Sequence, residues 1–157
     1  MKRMLYRMVL SDEGQVSTPP TRVQICAYNP QGHHDLIPSV YALSFAEPPW
    51  PADWEAFAEF DPNGAFVAQD VKTAQVIGFV VSFRRNDHGY ISVVAVVPEY
   101  HRQGIGSALV SAAIAYLRGL GLYTIRIDAF VDAPPAFNLY RKLGFQVEKT
   151  FEDEDGD

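Results

Sequence analysis

The sequence predicts an α/β chain of the α+β kind: a mixed, mostly antiparallel central sheet of six to seven strands flanked by about four helices. Three observations carry that expectation. Residues 64–97 hold three apolar runs separated by short polar breaks, the pattern of an antiparallel meander. From residue 104 onward helical and strand periodicities alternate, as in sheets that helices cover. Finally, 157 residues with 48% hydrophobic and 20% charged side chains have the balance of one globular core.

The elements follow in order. Residues 1–20 read as peripheral, being mixed in charge and ending in "STPP", which cannot continue regular structure. "RVQICAY" alternates apolar and polar positions and reads as the first strand. In "NPQGHHDLIPSVYALSF" the spacing of Leu36, Ile37, Val40, Leu43 and Ser44 suits an amphipathic helix, with Pro38 tolerated only in its first turn. "AEPPWPADW" is a rigid loop, and Asp53 is placed to cap a short helix "WEAFAEF". "GAFVAQD", "QVIGFVVSFRR" and "YISVVAVV" are the meander strands. "GIGSALVSAAIAYLRG" is a helix whose apolar stripe is Ile105, Ala108, Leu109, Ala112, Ala115, Tyr116 and Leu117, closed by Gly119 and Gly121. A strand "LYTIRIDAF", a short helix "PPAFNLYRKL" opened by prolines and a last strand "FQVEKTF" complete the chain. The organisation expected is a peripheral extension at 1–20, one domain at 21–151 and an acidic tail at 152–157.

Composition narrows the function. The formal charge of −6 argues against nucleic-acid phosphate as a partner. The five acids of the tail, Glu152, Asp153, Glu154, Asp155 and Asp157, account for most of it. No apolar stretch approaches the roughly 20 residues that span a bilayer, and the basic N-terminus is broken by Arg7 before it could read as a leader. A single cysteine, Cys26, has no internal disulfide partner, which suits a reducing, cytoplasmic setting. The pair His33–His34 beside Asp35 invites a metal reading, but adjacent histidines at a helix start rarely converge on one ion, and no metal is expected.

The turn "YHRQGIGSAL" raises the chemical question. Amides at a helix start lack internal acceptors and sit at the positive end of the helix dipole. Gly104 and Gly106 omit Cβ atoms that would hold an anion away, and Arg102 adds charge beside them. The dinucleotide pattern fails, since Leu109 stands where its third glycine belongs, and so does the P-loop pattern. On chemistry alone, a phosphate cradle and an ordinary strand-to-helix turn stay equally open.

"VAVVPEYHRQGIGSAL", followed after one strand by "PPAFNLYRKLGF", resembles the GCN5-related N-acetyltransferase (GNAT) superfamily, over nearly everything from Val23 to Phe151 and including the "EPPW" loop. The resemblance implies the GNAT fold and acetyl-CoA as cosubstrate. It assigns Arg102, Gln103, Gly104, Ile105, Gly106 and Ser107 to the pyrophosphate, and the strand edge of Val94, Ala95 and Val96 to the pantetheine arm and thioester. It makes Tyr140 the acid that protonates the departing thiolate. Spacing alone favours a core role, since Ala136, Tyr140 and Leu143 form one helical face.

Asp128 is the candidate base. Alternation along "TIRIDAF" puts Thr124, Arg126 and Asp128 on one face, and a carboxylate near this strand's end resembles the base of ribosomal-protein N-terminal acetyltransferases. The rival reading pairs Asp128 with an arginine, in which case a water chain or deprotonation in bulk must serve. Three positions depart from the family pattern: His101 replaces an arginine or glutamine, Ser92 a glutamate and Ala133 an asparagine.

The expected activity is acetyl transfer to a primary amine by direct attack in a ternary complex, with a small-molecule acceptor. A protein or peptide N-terminus is the alternative acceptor, and a non-catalytic acyl-CoA-binding module is the rival from another class. Glu47, Trp50, Asp53, Trp54 and Glu55 form an acid-and-aromatic set able to hold a cationic amine; for at least one of the tryptophans, a staple of the loop to the core is the favoured reading. Members of the family commonly pair subunits, which adds a homodimer to the expectations. No nucleic-acid or membrane partner is expected.

Overall fold

The computed structural model describes residues 3–45, 50, 51, 53–57 and 59–153. Seven strands form one sheet: β1 (Met4–Leu10), β2 (Val23–Ala27), β3 (Ala65–Asp70), β4 (Val76–Arg85), β5 (His88–Val96), β6 (Ile125–Phe130) and β7 (Gln146–Glu152). Their spatial order is β2-β3-β4-β5-β6-β1-β7. Helices α1 (Pro30–His33) and α2 (Ile37–Ser44) follow β2, α3 (Ile105–Gly119) follows β5, and α4 (Pro134–Leu143) joins β6 to β7. The mixed, helix-covered sheet is the class that the residue pattern predicts.

The N-terminal stretch departs from its peripheral reading. Met4–Leu10 lies between β6 and β7 and runs antiparallel to both. Met8 and Leu10 are fully buried, which is why the segment is a strand at all. Arg7 hides the pattern in the sequence: it points to the other face, where a carboxylate meets it. Residues 12–17 then cross α3 and α4, with Gln15 donating its N–H to the Leu143 carbonyl, Ser17 donating to Ser111 Oγ and the Arg118 guanidinium capping the carbonyls of Asp12 and Glu13. At the other terminus Glu152 ends β7, while Glu154, Asp155 and Asp157 lie outside the described residues.

The two faces are separated residue by residue along β4. A Cβ on Gly78 would meet Leu109 of α3 at 3.2 Å, whereas the next ring, Phe79, packs on Trp50 and through it on Tyr41 of α2. Neighbouring strand residues face opposite ways, so α3 and α2 cover opposite faces. The buried stripe of α3 is Ile105, Ala108, Leu109, Val110, Ala113, Ile114 and Leu117, rotated from the expected one. Ala115 is exposed and Ala112 half-buried. Burial is worth more for Val110 and Ile114 than for two alanines, and the larger side chains set the face. In α2 only Ile37 and Val40 are buried, Leu36 and Leu43 are exposed, and Pro38 sits in the first turn as required. The short helix after Asp53 is a single 3-10 turn, Trp54–Ala56, and the Asp53 side chain does not cap it.

One irregularity in the sheet opens the cleft. β5 pairs with β6 only over Gly89–Ile91 against Ile125–Ile127, although β5 continues to Val96 and β6 to Phe130. Between Val81 and Ser82 the β4–β5 register shifts, from Val81 opposite Val93 to Ser82 opposite Ile91. Ser92 is therefore an extra residue in β5. Such a bulge bends its strand and raises the local twist, and here β5 parts from β6 just beyond it. A cleft opens between two parallel strands.

Candidate active site

One lip of the cleft is the free edge of β5. Val97 donates its N–H to Ile77 on β4, so by alternation the N–H and C=O of Val96 and Val94 point away from β4, into the gap. The Val96 carbonyl already has a partner: His101 Nε2 lies 2.7 Å from it and donates. The histidine at the first signature position thus folds back onto the strand.

The glycine turn follows directly. Tyr100 ends a 3-10 turn, Pro98–Tyr100, and donates its hydroxyl to Asp70 Oδ2 at 2.9 Å. Asp70 is fully buried at the end of β3, and its other oxygen accepts from the amides of Lys72 and Thr73. The Tyr100 hydroxyl above all, with those amides and Arg22, holds the Asp70 carboxyl below the usual range. The loop beyond this tether has two left-handed residues, Arg102 (φ 64°) and Gly104 (φ 81°). Left-handed Gly104 is followed at once by the right-handed helix start at Ile105, and such a step turns successive amides to one side, the geometry of an anion nest.

Gly104 and Gly106 serve different ends. In front of Gly104 nothing lies within 4 Å of where a Cβ would stand, so that position is open, and the residue is needed for its positive φ. A Cβ on Gly106 would come 2.9 Å from Leu139 of α4 and 3.9 Å from Val96. Gly106 therefore brings α3, α4 and the end of β5 together. Gly104 supplies no capping side chain to α3. The amides of Ile105, Gly106 and Ser107 are the orphan donors of that helix start. Gln103 and Arg102 are exposed beside them, and Arg102 makes no ion pair among the described residues.

The other lip is formed by β6 and α4. Tyr140 follows Leu139, so the contact at Gly106 sets the tyrosine's helix against the glycine turn. Its side chain is 7% exposed, and the hydroxyl has no hydrogen-bond partner among the described residues. Burial first, then the nearby Tyr90 and Asp128, push its phenol up, so it holds its proton. The core and acid readings of Tyr140 are compatible here: the ring is packed, and the oxygen has no internal partner.

Asp128 lies on β6 with the alternation the sequence predicts, Ile125, Ile127 and Ala129 being buried on the opposite face. Its carboxylate accepts two bonds from Arg7, Nε at 2.9 Å and Nη2 at 3.1 Å, and one from the Tyr90 hydroxyl at 2.9 Å. Burial and the Asp128 charge push the Tyr90 phenol up to about 12. Neither Arg7 nor Tyr90 was visible to sequence reasoning. The signal for Tyr90 exists only in the register, which sets it opposite Arg126, one residue short of Ile127 and two short of Asp128.

On the α2 side the acid-and-aromatic set is largely committed elsewhere. Trp54 is 3% exposed and packs on Tyr28, Phe60 and Trp50, as a staple does. Glu55 accepts the Tyr28 hydroxyl at 3.0 Å and faces His34 Nδ1. Asp53 is exposed, and Glu47 lies outside the described residues. His33 turns instead to the Asn29 amide, so the two histidines diverge. Ser92 is exposed at the bulge, and Ala133 stands at the N-cap of α4 without a capping side chain. No helix among the described residues is long and apolar enough to cross a membrane.

Known proteins share the family sequence pattern and the fold. Residues 33–145 match the family model described as the acetyltransferase (GNAT) family. The chain is 35% identical over 132 residues to a mycothiol acetyltransferase of Mycobacteroides abscessus, covering 77% of this chain and 44% of that protein. It is 36% identical over 140 residues to the mycothiol acetyltransferase of Pseudarthrobacter chlorophenolicus, covering 80% and 43% respectively. The chain thus spans less than half the length of these curated relatives. Among solved structures, a GCN5-related N-acetyltransferase from Sphaerobacter thermophilus superposes with a TM-score of 0.84 at 18% identity, over 96% of this chain and 50% of that one. The ribosomal-protein-S18-alanine N-acetyltransferase of Escherichia coli gives 0.67 at 22% identity, over 79% and 77%. The parted strands, the glycine turn between β5 and α3, and these matches lead to one conclusion: the chain belongs to the GNAT acetyltransferase family.

Proposed function

We propose that the chain is an acetyl-CoA-dependent N-acetyltransferase acting on a small-molecule primary amine. The observation that carries the reading is the parting of β5 and β6, with orphan amides on one lip and a buried tyrosine on the other. The donor's diphosphate lies on the amides of residues 102–107, with Arg102 as the mobile cation. The edge of Val94, Ala95 and Val96 takes the pantetheine arm as an added strand, once His101 yields or shares the Val96 carbonyl. Thermal stabilisation by acetyl-CoA follows by mass action.

The chemistry is a direct displacement. The amine nitrogen attacks the thioester carbon, a C–N bond forms and the C–S bond breaks. The thiolate takes the Tyr140 proton, and the ammonium proton passes to Asp128. Because burial pushes the Tyr140 phenol up, it keeps its proton at neutral pH, so the proton is in place when the thiolate departs. Three hydrogen bonds fill three of the roughly four lone-pair sites of the carboxylate, one on Oδ1 and two on Oδ2, so a site on Oδ1 is open to the incoming proton. Relatives named mycothiol acetyltransferase favour a small acceptor over a peptide.

A screen of CoA release across small amines and N-terminal peptides tests this reading. Acetyl-CoA-dependent release with at least one small amine, exceeding that with every peptide, is expected. Release with peptides alone, or acetyl-CoA binding without release, contradicts it.

A further inference from the structure

A cavity of about 410 Å³ opens on the sheet face opposite α3, with Arg7, Arg85, Tyr90, Arg126, Glu148 and Lys149 in its wall. Four cations face one hollow in a chain of net charge −6. The three guanidiniums are fixed in the same manner. Arg7 uses Nε and Nη2 on Asp128, Arg85 uses Nε and Nη2 on Glu59 at 2.9 and 3.1 Å, and Arg126 uses Nε and Nη2 on Glu148, both at 2.9 Å. Each pair occupies one side of the fork, and Nη1 makes no hydrogen bond among the described residues. A guanidinium has five donors, so each keeps an open edge while its carboxylate holds it in place. Arg85 is fixed further by stacking 4.1 Å over the Tyr90 ring. Lys149 makes no ion pair among the described residues; its ammonium rests 5.8 Å from the Phe151 ring. Rigid, partly satisfied cations around a hollow are suited to a charged oxygen ligand.

The hollow also adjoins the chemistry. Tyr90 belongs both to its wall and to the Asp128 carboxylate, and Arg126 precedes Asp128 by two residues on the same face. At roughly 3.3 Å per strand residue, about 7 Å separates their backbones. We propose, resting on the acetyltransferase reading above, that this cavity binds a carboxylate or phosphate group of the amine acceptor. The acceptor is then a small amine whose anionic group stands only a few bonds from its nitrogen.

The test uses propylamine, β-alanine and O-phosphoethanolamine as acceptors with saturating acetyl-CoA, in wild type and in the Arg126→Gln, Lys149→Gln double variant. The expected result is a kcat/KM for an anionic amine roughly tenfold or more above propylamine, the size of one charge-assisted hydrogen bond. The variant loses that preference and keeps its propylamine turnover. Inorganic phosphate competes with the anionic amine and not with acetyl-CoA, and in labelled wild type it shifts the amides of Tyr90, Arg126 and Lys149. Turnover that ignores the anion, with no shift on phosphate addition, overturns the proposal. Phosphate shifts at these amides without turnover of any amine leave the anion site standing and remove the transferase reading. If the double variant fails to fold, the wild-type comparison and the phosphate titration decide alone.

Discussion

Arg7 reaches Asp128 with Nε at 2.9 Å and Nη2 at 3.1 Å, joining the first strand of the chain to the strand that bears the proposed base. The two residues are direct partners in the β1–β6 register. The pairing explains how a basic residue can stand in the middle of an otherwise apolar strand. Replacing Arg7 by methionine keeps most of the stem's packing and leaves the carboxylate, 13% exposed, without its cation. The expected loss of unfolding free energy is roughly 1.5–3 kcal/mol, the range for hydrogen bonds to charged groups. Urea denaturation measures it, and acetyl-CoA affinity is expected to stay unchanged.

The two glycines of the turn separate by experiment. Gly106→Ala brings a methyl group to 2.9 Å from Leu139 Cδ1, the far end of a side chain that can turn aside, and is expected to cost no more than about 1 kcal/mol. Gly104→Ala meets no neighbour but forces an L-residue to φ near 81°, which costs roughly 1–2 kcal/mol. Calorimetry with acetyl-CoA distinguishes them further: Gly104→Ala weakens binding by placing a methyl group on the open side. Equal affinity for both variants and wild type goes against the cradle.

The Tyr100–Asp70 tether makes a prediction about acid. Asp70 is depressed in the folded chain, so its contribution is complete above the ordinary carboxyl value near pH 4 and drains away as the pH falls through its lower folded value. Tyr100→Phe removes the first cause of that depression. The stability gap between wild type and Tyr100→Phe is therefore expected to be full at neutral pH and to narrow below about pH 4. Chemical denaturation at neutral and acid pH checks the sign; a gap independent of pH contradicts it.

Asp128→Asn separates a base from a scaffold. Loss of a general base costs roughly 10²–10⁴-fold in kcat, with acetyl-CoA affinity retained. A drop of only a few-fold, matched by the Arg7 variant, places Asp128 among the residues that hold β1 to β6.

Much of this was legible in the residues. The meander, the strand-to-helix glycine turn and the alternation along 124–129 are local patterns, and local patterns survive into the fold. The facing of Asp128 and the packing of Tyr140 follow from them. What stayed hidden is non-local. β1 is seven residues with a charge in the middle, and only its partner on a strand more than a hundred residues away makes that charge acceptable. Tyr90 acquires its place from a parallel register of three residue pairs, and no single-chain periodicity encodes register between distant strands. The cleft itself rests on one bulged residue, Ser92, which sequence alternation does not mark as extra. In the acid-and-aromatic loop composition leaves two roles open, since aromatic residues serve a core as readily as a ligand, and Trp54 takes the staple role expected of at least one tryptophan.

The most direct test of the account is Tyr140→Phe, assayed for both acetyl-CoA affinity and turnover with a working amine. The ring and its packing stay, and only the donor oxygen is removed. Acetyl-CoA binding is expected to stay close to wild type and kcat to fall by about 10²-fold or more, the range for a lost general acid. Wild-type turnover in the phenylalanine variant would reduce Tyr140 to a core aromatic and leave the cleft without its acid.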